Sequence, residues 1–421
     1  MKISNRSLIA IRSFAIAAGA TMATSFVGVY AVLIGASAVE MGWLQSSSNS
    51  INNLGQILWG RLSDRIGRRT PFLIGGSIIL AVLWFMLPYS SNPVTLIEIY
   101  AVIALFSSMI TVNLFSFIAD NVTTARGKYL SIINILASIG TIISLIIMIF
   151  ALNGNLSSII RIPFTIAAAS YIVSMAIAIR LREKKTATTM AGNLLNTLRR
   201  LKSNGFFYRY FMATNVQSIF WAMAWPMFPI TIVSVMGFSL RIVAILTVAS
   251  TASVLLIQYI LGKIVDSIPR GPLIFLNKIM LSGIPVMYAL VHSFSGFIFI
   301  EIYSGFAGAI QNVVLTSYLL DIVPAGHRAE YISILNGFNG AMYFIGALIG
   351  GYLLSYFLTL AQLETALLYA YLIVFAGRFG SSFLFRKLKE ENPGSRTGSV
   401  FSILLHPKQP GAPSGGIIKP R

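Results

Sequence analysis

The sequence predicts an all-α integral membrane protein, with twelve spanning helices in two homologous six-helix halves. The first observation behind this prediction is composition, and the second is a motif pattern that recurs once along the chain. Of the 421 residues, 56% are hydrophobic and 10% are charged, whereas a soluble domain carries roughly 25% charged residues. We therefore expect most of the chain to lie in lipid.

Each bilayer crossing needs roughly 20 mostly apolar residues, because the hydrocarbon core is about 30 Å thick and a helix rises about 1.5 Å per residue. The first such stretch follows basic residues and superficially resembles a secretory signal, but it is longer than a signal and eleven more spans follow. The twelve predicted spans are 13–38, 43–62, 71–90, 95–119, 129–152, 160–180, 208–236, 240–262, 272–292, 297–320, 331–357 and 365–385.

The net charge of +19 is distributed unevenly between the predicted loops. Basic residues, Arg12 among them, gather before the first span, in every second loop and after the last span, whereas the opposite loops hold only Arg161 and Arg241. This positive-inside pattern predicts a multi-pass plasma-membrane protein with both termini in the cytoplasm. We therefore expect the basic residues to contact anionic membrane lipids, and the pattern argues against nucleic acid as a partner.

Three separated segments recur in the same order in the second half of the chain. Residues 54–70 read LGQILWGRLSDRIGRRT, and residues 256–272, at an offset of 202, read LIQYILGKIVDSIPRGP. RGKYLSIIN from Arg126 matches RAEYISILN from Arg328, and IEIY at 97–100 returns at 300–303. The repeat predicts one half over 1–180 and a parallel half over 207–388. A basic cytoplasmic linker over 181–206 and a disordered cytoplasmic tail over 389–421 complete the predicted organisation.

The loop between the second and third spans reads GRLSDRIGRR from Gly60 to Arg69. Its glycines permit close helix approach and a tight reversal, and its aspartate can face the positive end of a neighbouring helix. At every defined position the segment resembles the signature G-x-L-x-D-R-x-G-R-R/K of the major facilitator superfamily. With the twelve spans, two halves and central linker, this resemblance covers the whole chain and implies that fold.

The resemblance also implies a gating role for the signature. Asp64 would contact the second half near its eleventh helix, and Arg68 would pair with Asp120. The second half keeps a weaker copy, and we interpret both sets as latches that hold an inward-closed, outward-open state; alternatively, they fix only loop geometry. The predicted gating residues are Gly60, Asp64, Arg65, Gly67, Arg68, Arg69, Asp120, Arg126, Gly262, Asp266, Arg270, Asp321 and Arg328.

In this family, the first, fourth, seventh and tenth helices line the central cavity. Carried onto the midpoints of those spans, the resemblance implies a substrate cavity that includes Asn113, Gln217, Trp221, Trp225, Gln311 and Asn312. Three of them, Gln217, Trp221 and Trp225, are four residues apart and share one helix face. The alternative is that the amides only hold helices together, as they often do in membrane bundles.

Glu98 and Glu301 are the carboxylates that remain for proton coupling once the acids at cytoplasmic helix ends are set aside. Both belong to the repeated IEIY, near the outer ends of the fourth and tenth spans, so capping of those ends is the alternative. The fifth span lacks the G-x-x-x-G-P stretch of drug/proton antiporters, which weakens a drug-antiport interpretation.

No metal site, cofactor or catalytic site is predicted, because the chain has no cysteine, no grouped histidines and no phosphate-binding loop. The sequence favours a monomeric secondary transporter of a small organic molecule, with export of a neutral or amphipathic compound preferred. The alternatives are a sugar or metabolite uptake facilitator and, in another class, a receptor of the same fold that binds a solute without transporting it. An integral membrane enzyme has no candidate site.

Overall fold

The computed structural model describes residues 4–121, 126–152, 159–183, 202–265, 269–323 and 328–388. The tail over 389–421 and most of the linker over 181–206 lie outside them, so those limits stay predictions. We call the end of the bundle where α1 begins the inner end. The described residues form twelve long helices: α1 Asn5–Leu33, α2 Ala38–Ile66, α3 Thr70–Met86, α4 Pro93–Asn121, α5 Arg126–Ala151, α6 Arg161–Ile179, α7 Gly205–Val235, α8 Leu240–Ile264, α9 Arg270–Leu290, α10 Phe294–Ile322, α11 Arg328–Leu358 and α12 Leu363–Ser382.

Local sequence sets several helix ends. Ser37 and Glu40 form a capping box at the start of α2, where each side chain accepts a hydrogen bond from the other residue's backbone N–H. α2 stops at Gly67, whose φ of 70° lies in the left-handed region that favours glycine. Asn204 caps the start of α7 in the same way that a serine caps α2. Most of the signature therefore lies in the last turns of α2, and the turn itself begins at Gly67.

The first helix begins earlier than predicted. α1 starts at Asn5, so Arg12, which the sequence analysis placed before the first span, lies inside the helix and is fully buried. Asn5 is fixed by two hydrogen bonds to the backbone of Arg182, its Nδ2 donating to the carbonyl at 2.8 Å and its Oδ1 accepting from the N–H at 3.1 Å. The prediction for Arg12 was wrong because the apolar run marks the lipid-facing length of a helix, not its full length.

Of the twelve described helices, all but α2 are both long enough and apolar enough to cross a membrane. Two serines of α2 donate hydrogen bonds to the other half of the molecule. Ser46 Oγ donates to the Phe344 carbonyl at 3.0 Å, and Ser50 Oγ donates to the Gly340 carbonyl at 2.6 Å, both on α11. Since hydroxyl groups in lipid are costly without partners, this contact explains how a polar helix occupies the second position of the bundle.

Glycines allow α11 to lie directly against α7 of its own half. A Cβ at Gly346 would come within 2.1 Å of the Ile219 carbonyl oxygen, and one at Gly350 within 2.0 Å of the Met223 carbonyl oxygen. No side chain fits at either position unless α7 moves. Because α11 also contacts α2, it joins the two halves.

Helix α7 is interrupted near its middle, and α1 and α10 are locally widened. Pro226 has no backbone N–H, and the N–H groups of Trp225 and Met227 make tighter bonds, each 3.0 Å, to the carbonyls of Ala222 and Ala224. π-helical segments occupy 17–21 of α1, 231–235 of α7 and 311–315 of α10. Such segments are frequent at functional sites. They occur in three of the four helices that the family resemblance assigned to the cavity.

Candidate transport site

The signature loop forms an ion-paired turn at the inner end of the first half. Arg69 Nη2 donates to Asp64 Oδ1 at 2.5 Å, and its Nη1 donates to Ser63 Oγ at 2.6 Å. The Glu183 carboxylate accepts from the backbone N–H groups of Arg69 and Thr70, the latter at 2.9 Å, and so caps α3. Sequence reasoning missed Glu183, which falls in the predicted linker.

The other signature residues differ in how closely they are held. Arg65 and Arg68 are exposed. A Cβ at Gly60 would make an ordinary 3.5 Å contact with Val112, so helix approach does not require glycine there. The contact of Asp64 with the second half stays a prediction. Four predicted gating side chains lie outside the described residues: Asp120, Arg126, Asp266 and Arg328.

The second half has an ion pair at the corresponding inner position. Arg270 Nη1 donates to the Asp321 carboxylate and, at 2.9 Å, to the Ser317 carbonyl. Arg270 and Asp321 belong to α9 and α10, both in the second half. Asp64 and Arg69 both belong to the first half. A Cβ at Gly262 would meet nothing within 4 Å. Both ion pairs therefore join elements within a half and do not bridge the two halves.

The halves meet closely near the outer end of the bundle. A Cβ at Gly28 of α1 would lie 3.4 Å from the Pro229 Cβ of α7. A Cβ at Gly42 of α2 would lie 3.1 Å from the Gly351 Cα of α11. These distances leave no passage between either pair of helices, so the structure shows a state that is closed at the outer contact.

Just inside this contact is a cavity of about 240 Å³, the outer cavity, which both halves line. Tyr288 donates to Glu301 Oε1 at 2.7 Å. The first turn of α10 is capped by Ser293, so Glu301 is not the cap of that helix. The polar lining residues are Thr24, Ser25, Gln45, Thr247 and Glu301.

The two repeated glutamates have different surroundings. Glu98 is exposed on α4, and Asn92 caps that helix by accepting from the Thr95 N–H at 2.8 Å. Glu301 is held by a tyrosine hydroxyl beside a cavity between the halves. The structure therefore brings Glu301, but not Glu98, to a place where a carboxylate could act in transport.

A second cavity, of about 210 Å³, lies toward the inner end within the second half, and we call it the inner cavity. α7, α9, α10 and α11 line it, mostly with side chains that donate or accept hydrogen bonds. The π-helical segment of α10 begins at Gln311, and both Gln311 and Asn312 line the cavity. Its polar and aromatic lining is Tyr210, Thr214, Gln217, Ser218, Trp221, Lys278, Gln311, Asn312, Thr316, Asn336, Asn339 and Tyr343.

Four of the six predicted cavity residues, Gln217, Trp221, Gln311 and Asn312, thus lie together. The other two do not line this cavity. Asn113 is fully buried in the first half, where its Nδ2 donates to the carbonyl of residue 109 at 2.8 Å. The Trp225 ring packs against Tyr343, with 5.0 Å between ring centroids, and so supports a cavity wall from behind.

Sequence reasoning missed a lysine in the inner cavity. Lys278 of α9 is 4% exposed, and its Nζ donates to Gln311 Oε1 at 3.2 Å. The same atom lies 5.2 Å from the centroid of the Phe385 ring, which is fully buried. A lone basic residue inside a predicted span was the available signal, because ionisable residues in membrane helices usually mark functional sites.

A buried arginine beside the cavity was also missed. Arg378 of α12 donates through Nε and Nη2 to the carbonyls of Phe220 and Trp221, at 3.1 and 2.5 Å. These carbonyls precede the break in α7, where the regular helical donors are lost. Its Nη1 donates to the Leu281 carbonyl at 3.3 Å, and its guanidinium lies 4.7 Å from the Trp221 ring centroid. Arg378 therefore stabilises both the broken helix and an aromatic wall of the inner cavity.

A third concavity, of about 520 Å³, is an apolar groove that α11 alone lines between residues 344 and 356. Its lining is aliphatic and aromatic. We assign it to the lipid-facing surface and not to the site.

Comparison with known proteins agrees with this architecture. A family model described as Major Facilitator Superfamily matches residues 9–300 and 210–408. Comparison with curated proteins gives no match. Among solved structures, the nucleoside transporter NupG is similar with a TM-score of 0.70 and 16% identity, over 92% of this chain and 99% of that chain. A D-xylose–proton symporter is similar with a TM-score of 0.66 and 15% identity, over 93% and 97%.

A bacterial homolog of the human lysosomal transporter Spinster, in an inward-facing and unoccupied conformation, is also similar, with a TM-score of 0.68 and 14% identity over 91% of this chain and 98% of that chain. Identities this low establish the fold alone. The family match, in contrast, covers most of the chain, and it confirms the predicted fold class. The chain belongs to the major facilitator superfamily, a family of multi-pass membrane transporters and not of enzymes.

Proposed function

We propose that this protein is a secondary transporter that binds a small polar organic solute in the inner cavity and moves it by alternating access. The inner cavity is the main support, because it gathers five amide side chains inside an apolar bundle. Amides in a membrane interior are costly unless they meet a partner or water. A polar solute offers partners to several of them at once.

The direction of transport remains a sequence-based proposal. Export of a neutral or amphipathic compound was preferred, with uptake of a sugar or metabolite as the alternative. The hydrogen-bonding lining of the inner cavity supports a polar compound over a lipophilic one in either direction. From the charge pattern we also propose contact with anionic lipids and cytoplasmic termini. A monomer in the plasma membrane is a separate proposal.

Counterflow in liposomes tests the transport proposal. Purified protein is reconstituted, the vesicles are loaded with one unlabelled compound, and entry of the same labelled compound is followed across a panel of sugars, organic acids and lipophilic dyes. Saturable counterflow of at least one polar compound is expected. Saturable binding without counterflow of any compound would instead support the receptor alternative.

A matched pair of variants locates the site. Gln217→Leu removes an amide that lines the inner cavity. Asn215→Leu removes a buried amide of the same helix that does not line it and that donates to the Phe211 carbonyl at 2.8 Å. Counterflow should fall in the first variant and persist in the second. Equal loss in both would show that packing of α7, and not the cavity, explains the effect.

The inner ion pairs are proposed to exchange partners during transport. In the outer-closed state, Asp64 is paired with Arg69 of its own half. When the inner ends close, the Asp64 carboxylate can turn to the N-terminus of α11, where the helix dipole favours a negative charge. The contact of Asp64 with α11 is the latch that the family resemblance implied. Arg69 is its partner when the latch is open.

Asp64→Asn is therefore expected to lower counterflow about ten- to a hundredfold, because a charge-assisted hydrogen bond contributes about 1.5–3 kcal/mol and about 1.4 kcal/mol is a factor of ten. Binding of the transported compound, measured on purified protein, should be nearly unchanged. Glu364→Gln, which neutralises an exposed acid at the outer start of α12, is the control and should transport normally. Normal counterflow by Asp64→Asn would remove the gating proposal.

Glu301 is the proposed proton-coupling residue, since its carboxylate lies beside a cavity that both halves line. Glu301→Gln keeps the shape of the side chain and a hydrogen-bonding oxygen for Tyr288 but cannot lose a proton. We expect this variant to retain counterflow and to lose accumulation driven by an imposed pH gradient. Flux measured with and without the gradient, in the same vesicles, separates the two effects.

Glu98→Gln is the matched control, because Glu98 occupies the equivalent place in the repeat but is exposed. It should accumulate solute as the unaltered protein does. If Glu301→Gln also accumulates solute normally, coupling through Glu301 is wrong. If the unaltered protein only equilibrates solute, the protein is a facilitator.

A further inference from the structure

Lys278 has donor capacity that its described neighbours do not use. Its ammonium carries three N–H groups, and Gln311 Oε1 accepts one of them. Among the residues that the structure describes, no carboxylate lies within ion-pair distance of the Lys278 Nζ. The residue lies eight positions into α9, roughly 12 Å from the inner end. A cation at this depth is costly unless something compensates its charge.

The surroundings of Lys278 add positive and not negative charge. None of the described residues that line the inner cavity is acidic. Arg378 is bound to the Leu281 carbonyl, one turn from Lys278 on the same helix, and its guanidinium covers the Trp221 ring at the cavity wall. Arg378 is itself a cation, so it cannot be the counter-charge of Lys278. An anionic solute in the cavity would supply a negative charge beside this ammonium.

The buried ammonium of Lys278 has no counterpart at the equivalent position of the first half. At the offset of 202 that relates residues 54–70 to residues 256–272, Lys278 corresponds to Gly76. The packing is shared, since a Cβ at Gly76 would come within 2.7 Å of the Met109 side chain, just as Lys278 contacts Gln311. In the first half the place is filled by apolar atoms. In the second half the equivalent place combines an ammonium, amides and empty space.

We propose that the inner cavity binds a small hydroxylated organic monocarboxylate, whose carboxylate is held by Lys278. One ammonium facing the cavity matches one negative charge. The amides and hydroxyls around it, such as Asn312, Asn339 and Thr316, match hydroxyl groups on the solute. The inner cavity has a volume of about 210 Å³, the volume that about seven water molecules fill at about 30 Å³ each. This volume suits a small monocarboxylate. This proposal rests on the proposed transport function and replaces the neutral solute expected from the sequence by an anion.

Binding to the purified full-length protein in detergent tests this proposal directly. Lactate, glycerate and gluconate are compared by calorimetry with their neutral counterparts lactamide, glycerol and glucose, and inorganic phosphate and chloride are included. At least one of the acids should bind about ten- to a hundredfold more tightly than its counterpart, as expected for one charge-assisted contact. Equal affinity within every pair, or preference for phosphate or chloride over all the acids, would overturn the proposal.

Three variants show whether Lys278 carries the selectivity. Lys278→Gln should abolish the preference for the acid, whereas Lys278→Arg should retain a preference because it keeps the charge. Lys387→Gln removes an exposed charge just after α12 and should bind as the unaltered protein does. A preference that survives Lys278→Gln overturns the proposal. The comparison of acids with neutral counterparts needs no variant, so it remains decisive if Lys278→Gln does not fold.

Failure of this inference can be told from failure of the transport proposal. Counterflow of a neutral sugar that none of the acids inhibits would support the transport proposal and contradict the proposed carboxylate site. Acid binding that depends on Lys278, without counterflow of any compound, would keep the anion site and remove the transporter.

Discussion

Oxidation of a Gly28→Cys/Pro229→Cys double variant is expected to reduce counterflow to the level of protein-free liposomes. The Cβ positions of these residues lie 3.4 Å apart across the outer contact between α1 and α7, close to the separation that a disulfide needs. The chain has no cysteine of its own, so the bridge would be the only one that can form. If transport requires the outer contact to open in every cycle, a covalent bond there stops it.

The control is a bridge within one half. In Gly55→Cys/Ser108→Cys, the Cβ positions lie 3.2 Å apart between α2 and α4, which move together if each half is a rigid body. Oxidation should leave counterflow of this variant largely intact, and dithiothreitol should restore counterflow to the first variant. Full activity of the oxidised outer pair, with the bridge shown by mass spectrometry, would exclude alternating access through this contact.

The sequence was sufficient for the number and order of the helices. Apolar runs of bilayer length and the repeat at an offset of 202 determine twelve spans in two parallel halves. The second span was predicted over 43–62 from its apolar residues, although the helix that contains it, α2, is too polar over its full length to qualify as a span by hydropathy. These features depend on composition and spacing, which are local properties of the chain.

The candidate site was only partly predictable, because spacing tells which residues share a helix face but not what that face contacts. Gln217 and Trp221 line the inner cavity, whereas Trp225, on the same face, is displaced by the break at Pro226 and lies behind Tyr343. Asn113 was predicted from its depth in the membrane, but its helix turns it into the packing of the first half. The sequence thus predicted how deep these side chains lie in the bundle, but not which way each one points around its helix axis.

Long-range partners were the second gap. Glu183 reaches back across more than a hundred residues to cap α3, and Arg378 reaches α7 and α9 from α12. Neither contact has a signature in local sequence. A rule applied to single residues, that a charge inside an apolar span needs an explanation, would nevertheless have found both Lys278 and Arg378.

The two cavities are connected by α10, which suggests how binding and coupling communicate. Glu301 lines the outer cavity and Gln311 lines the inner one, ten residues apart on this helix, or roughly 15 Å. The π-helical segment begins at Gln311, where α10 contacts Lys278. A change of partner at Glu301 that moves α10 would therefore also move the proposed carboxylate site.

Arg378→Met is expected to lower the melting temperature of the purified protein by about 5 °C or more and to abolish counterflow. The substitution retains volume but removes bonds to the carbonyls of Phe220, Trp221 and Leu281. Charge-assisted hydrogen bonds contribute about 1.5–3 kcal/mol each, and the substitution leaves these carbonyls without the donor that Arg378 supplies. Loss of the cation over the Trp221 ring would also release a wall of the inner cavity.

Two further substitutions separate the charge of Arg378 from its bonding pattern. Arg386→Met removes an exposed arginine just after the same helix and should leave the melting temperature nearly unchanged. Arg378→Lys keeps the charge but cannot reach three carbonyls of two helices from one nitrogen, so it should remain destabilised. If lysine restores stability and counterflow fully, the positive charge alone matters, and the role of Arg378 in holding the broken helix is wrong. If only stability returns, the planar guanidinium is needed to position Trp221, which places the requirement at the substrate site.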